Sequence, residues 1–218
     1  LEETEANLYS FDSSSAVNSN KKNNILFFNK RLFLSQADIE NIPYENDAFD
    51  KVICLGVLQH TKNFYNSLHF LINKVKPGGE IIIDFYPING FWTKISAKYI
   101  LRPILKKFSN KFLLNIIEFT ANFFIFFYWL FTKLGLNFMT RFLPICDIKN
   151  ALPNNLSKNS LREWVILDTF DMFSPEYDNP QKIDHVSKYL QDHNIKVNFS
   201  GFVKFKNMQA AVIRGIKK

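Results

Sequence analysis

Over the first ninety residues, apolar positions fall in short runs separated by polar, turn-forming clusters. Ala6 to Asp12 (ANLYSFD) is an apolar run closed by an acid and serines, the pattern of a buried strand entering a turn. Ser15 to Asn24 reads as a short helix, Arg31 to Gln36 (RLFLSQ) as a second strand, and Ala37 to Ala48 as a loop around Pro43. Phe49 to Gly56 (FDKVICLG) is apolar on both faces, as a strand inside a parallel sheet must be. From Asn63 to Val75 the spacing becomes helical, with Phe64, Leu68, Leu71, Ile72 and Val75 in one stripe. Lys76-Pro77-Gly78-Gly79 forces a turn, and Glu80 to Tyr86 (EIIIDFY) is a fourth strand. Strands alternating with helices predict an α/β fold, a Rossmann-like doubly wound and mostly parallel sheet. Such sheets bind ligands at the carboxyl ends of their strands, which directs attention to Asp12, Asp38, Gly56 to Thr61, and Tyr86 onward.

Beyond Gly90 the strand pattern gives way to long helices with an apolar surplus up to Ile145. A further helix is expected at Asn159 to Phe173, opened by the capping box Ser160 to Glu163. Pro180 suits the first position of the next helix, with Asn179 as cap and Ile183, Val186, Tyr189 and Leu190 as its buried face. Val197 to Phe205 and Met208 to Gly215 then pair as a closing antiparallel hairpin around Lys206 and Asn207. The expected division is a first core part at 1–89, a helical cap insertion at 90–178, and the last helix and hairpin at 179–218.

The 218 residues are 47% hydrophobic and 22% charged, too apolar for a disordered chain and too polar for an all-membrane bundle. A net charge of +7 raises the question of nucleic acid or an anionic surface. Lysine, asparagine, isoleucine and phenylalanine are enriched together, as AT-rich coding produces without selection for charge. With no arginine-rich arm, zinc-finger spacing or aromatic RNA-binding signature, the expectation is no nucleic-acid partner. Cys54 and Cys146 lie far apart in apolar sequence and read as buried thiols in a reducing compartment, neither staple nor metal site.

Two stretches carry a family pattern: QADIENIPYENDAFDKVICLGVLQHT, and after it KVKPGGEIIIDFY. An acid follows the second strand seen here, an aromatic-flanked "FD" leads into the third, and a "GVLQH" turn and a "KPGG" turn follow in order. From about Ala6 through Gly79, and more weakly in the closing hairpin, the chain resembles the class I S-adenosylmethionine-dependent methyltransferases, specifically the methyltransferase type 11-like domain. The resemblance implies S-adenosylmethionine as cofactor and methyl transfer to a small molecule, with no metal required; the apolar surplus after Gly90 suggests that this acceptor is lipophilic. Asp12 would accept hydrogen bonds from the ribose hydroxyls; its structural alternative is a helix cap. Asp38 would face the adenine amino group, with Ala37 and Ile39 beside the ring; its alternative is an Asx-turn. Gly56, Leu58 and Gln59 would border the methionine portion, and His60 is either a catalytic base or a hydrogen-bonding rim residue. One departure is large. The family holds the carboxypropyl end of the cofactor over a glycine-rich loop after its first strand, and no glycine precedes Gly56. That first strand and loop are expected to be missing, with Leu1 to Glu5 in the helix that follows them. The alternative is a methyltransferase-like interaction module without catalysis.

Phe112 to Leu134 is long enough to cross a bilayer and is flanked by Lys106, Lys107, Lys111 and Lys133. Asn115, Glu118 and Asn122 interrupt it, and a single crossing would separate the two parts of the sheet. It is therefore expected to cap the active site of a cytoplasmic protein, with an outer face that either packs as ordinary core or touches the membrane peripherally. Leu161 to Gln181 resembles a stretch after such inserts in some bacterial members of the family. Its Trp164, Asp168 and Asp171 share a helical face, and with Tyr177 they either line the substrate pocket or tie cap to sheet.

Overall fold

The protein is described from a computed structural model, for every residue except Leu1, Asn89, Asn154, Lys206 and Asn207, and for the main chain alone at Phe91, Trp92, Phe205, Met208 and Gln209. The order of elements is β1 (Leu8–Asp12), α1 (Ala16–Asn23), β2 (Leu32–Gln36), β3 (Phe49–Cys54), α2 (Phe64–Lys74) and β4 (Val75–Phe85). Helices α3 (Ala97–Leu105), α4 (Asn110–Lys133), α5 (Ile148–Ala151) and α6 (Lys158–Phe173) follow, then α7 (Ile183–Asp192), β5 (Ile195–Phe205) and β6 (Met208–Lys217).

This is an α/β fold with parallel pairs, a closing antiparallel hairpin and a helical stretch after the fourth strand. Its sheet is divided in two. β1 and β2 form a parallel pair, and β3-β4-β6-β5 form a second sheet in which β3 and β4 are parallel and β6 runs antiparallel to both neighbours. Aromatic side chains connect the two: the Tyr9 ring of β1 lies 5.5 Å from Phe49 of β3, and Tyr44 stands edge-on 5.3 Å from Phe49. β1 was expected to be buried, yet Leu8 and Tyr9 are exposed.

The Lys76–Gly79 turn appears inside β4. Val75 pairs with Phe49 and Glu80 with Lys51, so the residues between leave the ladder as a bulge. Gly78 there has φ +80°, and a Cβ on Gly79 would stand 2.9 Å from the Lys76 carbonyl and 3.0 Å from that of Asp50. Only glycine fits both demands.

Three local expectations are corrected. Glu2 and Glu3 form a turn rather than a helix, Leu1 lying outside the described residues. α6 is capped by Ser157, whose hydroxyl accepts from the Ser160 amide at 3.1 Å, so Ser160 is inside the helix it was expected to open. α7 starts after Lys182, because Asn179 is held elsewhere: its side chain donates to the Thr61 carbonyl at 2.7 Å, and its amide to the Gln59 carbonyl at 2.7 Å. The β5–β6 hairpin forms in the expected register, with its Lys206–Asn207 turn outside the described residues.

One continuous core joins the strands to α2 and α7 through Leu58, Leu68, Ile81, Ile83, Val186, Leu190 and Ile213. The α4–α6 region buries two smaller clusters. Leu113, Ile117 and Ala121 of α4 pack with Ile166 and Phe173 of α6, while Tyr128 packs with Ile145, Cys146, Ile148, Leu152 and Val165. Both cysteines are free and buried, and burial pushes each thiol up to about 12.

Candidate active site

The carboxyl ends of the parallel strands assemble the expected residues. Asp12 closes β1 opposite Gln36 of β2, and the Ala37 amide extends that ladder to the Asp12 carbonyl at 3.1 Å, placing Asp38 just beyond. Each acid uses one oxygen locally. Asp12 Oδ1 accepts from the amide and the hydroxyl of Ser14, both at 2.7 Å, and Asp38 Oδ1 accepts from the Glu40 amide at 2.8 Å. The Asp38 contact is the Asx-turn of its structural alternative and the Asp12 contact is an Asx-type bond ahead of α1, so each carboxylate is anchored through Oδ1. Ile39 is buried in the main core.

After β3 the chain turns at Gly56, where φ is +72° and nothing lies within 4 Å of a would-be Cβ. The Gly56 amide donates to Asp84 Oδ1 of β4. Burial holds the Asp84 carboxyl above its ordinary range against the pull of that hydrogen bond. Leu58 and Gln59 are buried in a 3-10 turn, Leu58–His60, which points them into the protein. His60 is half-buried, its Nδ1 3.2 Å from the Tyr177 carbonyl and its ring edge-on to Tyr86 at 5.5 Å. That is the geometry of a rim histidine with one nitrogen occupied.

The segment returning from α6 is sewn to the same edge. The Gln181 amide donates to the Tyr86 carbonyl at 2.9 Å, and the Ile88 amide to the Gln181 carbonyl at 2.8 Å. Against it sits a polar cluster whose cations the sequence pattern did not single out. Lys98 Nζ of α3 lies 2.9 Å from Asp178 Oδ2, with the lysine side chain 16% and the carboxylate 1% exposed. The Tyr99 phenol also faces Asp178. The ammonium also stands 4.3 Å over the Tyr86 ring. Desolvation lowers the Lys98 pKa, opposed by Asp178. Desolvation first, then Asp171, Asp178, Asp168 and Asp84, pushes the Tyr86 phenol up to about 12, so at neutral pH it carries its proton. Arg102, buried one turn after Lys98, donates to the carbonyls of Met172 and Pro175 and ties α3 to the end of α6.

Of the expected substrate residues, Asp168 and Asp171 therefore face this cluster, and Asp168 is held above its ordinary range by burial and by Asp171. Tyr177 contributes its carbonyl. Trp164 stands exposed on α6, and no described contact ties it to the others. Lys98 also lines a cavity of about 190 Å³ with Tyr128, Thr140, Arg141, Asp147 and Met172. Asp84 was legible as an acid inside an apolar strand. Lys98 and Arg102 gave no signal, because their partners lie about seventy to eighty residues further on.

Residues 1–83 match the profile of the family described as "Methyltransferase domain". That stretch, 83 of the 218 residues, is similar to a methyltransferase domain. Curated relatives match shorter pieces of the chain. A tRNA U34 carboxymethyltransferase of Pseudoalteromonas atlantica is 38% identical over 60 residues, 28% of this chain and 18% of that protein. One of Nautilia profundicola is 40% identical over 52 residues, 24% of this chain and 17% of that protein. The matches thus span less than a fifth of the length of either relative. Among solved structures, a SAM-dependent methyltransferase of Methanosarcina mazei superposes with a TM-score of 0.51 at 10% identity, covering 96% of this chain and 81% of that one, which shows a shared fold. The relatives correct one expectation: proteins named for a tRNA nucleotide overturn both the exclusion of nucleic acid and the small-molecule acceptor.

The residues at this strand edge have the chemistry to hold the adenosine end of S-adenosylmethionine. One carboxylate, Asp12, ends β1 and a second, Asp38, lies two residues past β2, each anchored through one oxygen, and the open, positive-φ Gly56 follows the next strand.

Proposed function

We propose that this protein transfers a one-carbon group from S-adenosylmethionine to an acceptor presented beneath α3 and α6. The carboxylates at the end of β1 and just past β2 are the observation that carries the reading, since a ribose diol and an adenine amino group are the donors such acceptors hold. The bound cofactor supplies an electrophilic methyl. The protein's work is to hold donor and acceptor in line and keep water out. In this scheme Asp12 orients the ribose, Asp38 and Ala37 meet the adenine, and Gly56 lets the methionine portion approach the backbone. His60 and Tyr86 form the rim, with Tyr86 as a proton-bearing donor toward the acceptor. Lys98, Asp168, Asp171 and Asp178 set the charge of the acceptor side, and Trp164 is outside it. The names of the curated relatives support an RNA nucleotide as acceptor. The working compartment is the cytoplasm, where the cofactor is made, either free or against the membrane.

The test is transfer of tritiated methyl from S-adenosylmethionine into nuclease-sensitive material in a cell extract. Asp12→Ala and Asp38→Ala should each cut the rate at limiting cofactor by about five- to 150-fold, for a lost charge-assisted hydrogen bond of about 1–3 kcal/mol. Label that enters nuclease-resistant material would reject the RNA acceptor, and rates unchanged in both variants would reject the cofactor site.

A further inference from the structure

The chain's positive charge is concentrated in one stretch. Between Lys94 and Cys146 there are eight lysines and arginines and a single acid, Glu118, so that stretch alone accounts for the net +7 of the whole chain. It also holds many of the large apolar residues left in water: Phe119 is 89% exposed, Phe126 61% and Phe123 59%.

The two properties meet on α4. At about 100° per residue, Phe112, Phe119, Phe123, Phe126 and Leu130 fall within a sector of about 60°. Leu113, Ile117, Ala121 and Tyr128 occupy the opposite sector, already buried against α6 and the Ile145–Leu152 segment. Glu118 lies about a quarter turn away from the phenylalanine face, and its carbonyl accepts from Arg162 at 2.9 Å. Phe108 extends the face, its ring 5.1 Å from Phe112, and Leu134 and Leu136 beyond the helix are exposed as well. Lys107 and Lys111 stand at one end and Lys133 at the other, all exposed and in no described ion pair.

We propose that the outer face of α4 docks on a bilayer surface containing anionic phospholipid, with the helix lying in the plane of the interface. A continuous apolar strip with lysines at its two ends, about 33 Å apart, suits acyl chains below and headgroup phosphates alongside. A crossing helix would expose its other face to lipid, and that face is occupied by α6. A second copy would bring one strongly cationic stretch against another. RNA would use the rings for stacking but gains nothing from Leu130, Leu134 and Leu136. The inference does not rest on the transferase reading.

The test is flotation of the 218-residue chain with vesicles of phosphatidylcholine alone and of equimolar phosphatidylcholine and phosphatidylglycerol. The chain should float with the second and stay behind with the first. Phe119→Ser/Phe123→Ser/Phe126→Ser should weaken flotation by about tenfold or more, and Lys107→Glu/Lys111→Glu/Lys133→Glu by about fivefold per charge at low salt. Circular dichroism of both variants should match the parent, since all six side chains are exposed. Three results overturn the proposal: no flotation or no dependence on anionic lipid, flotation unchanged in the serine variant, or resistance of the bound chain to carbonate. A tRNA transcript whose binding is lost in the serine variant while vesicles are ignored would assign the face to RNA instead.

Discussion

Leu68 and Leu113 are equally buried leucines on helices, in regions built differently. Leu68 belongs to a single cluster of seventeen buried residues spanning four strands and two helices, whereas Leu113 belongs to one of five residues and Tyr128 to another of six. Among the described residues, 14 of the 25 exposed large hydrophobics lie on the stretch from Ile100 to Leu167. The α/β part spends its apolar residues on its own stability; the helical part keeps many of them outside. A region that folds only for stability would bury those side chains, each worth about 1.5–3 kcal/mol.

The junction is where this comparison breaks most readily. Lys98→Met leaves the Asp178 carboxylate buried without its cation and should cost about 3–5 kcal/mol in a urea titration. In the parent, the Lys98 pKa is depressed on folding, so the unfolded chain binds more protons between that lowered value and lysine's ordinary 10.5. Stability from this group should therefore rise with pH through that window, and the variant should lose the rise. A loss under 1 kcal/mol would mean the pair contributes little to joining the two regions. Within the core, Leu68→Ala should cost about 3 kcal/mol, from lost burial plus a cavity. Loss of only a few tenths in a thermal melt would show the cluster to be loosely packed.

Smaller effects are expected in the helical part. The Tyr128 hydroxyl donates to Asp147 Oδ1 at 2.6 Å and accepts from the Lys149 amide at 3.0 Å. Burial and Asp147 hold its phenol above the ordinary tyrosine range. Tyr128→Phe should cost about 1–2 kcal/mol and remove one high-titrating tyrosine from an ultraviolet absorbance titration. Phe119→Ser should change stability by less than about 0.5 kcal/mol. A larger loss would mean that the outer face of α4 is packed in solution.

Much of this was legible in advance, for identifiable reasons. The stripe of α2, the four early strands and the acids at strand ends follow from local periodicity, and the structure repeats them. Expectations failed where a distant segment captured a local signal. Asn179 and Pro180 look like a helix start, yet the carbonyls of Gln59 and Thr61 claim Asn179 and delay α7. The Ser160 capping box failed for a local reason: Ser157, three residues earlier, caps the helix instead. Lys98 and Arg102 gain meaning from partners on the segment after α6, a pairing no local window contains. The charge was in plain sight but averaged over the chain, where it read as coding bias; its confinement beside an exposed apolar face is a property of position.

The two proposals divide the labour, with the cofactor on the α/β edge and surface contact on α4. Amide chemical-shift mapping with S-adenosylhomocysteine tests it most directly, because it reports location even when binding is weak. The account predicts perturbations at Asp12, Asp38, Ile39 and Gly56 to Gln59, with α4 silent from Phe112 to Lys133. Perturbations confined to α4, or none at the strand ends at saturating ligand, would contradict it.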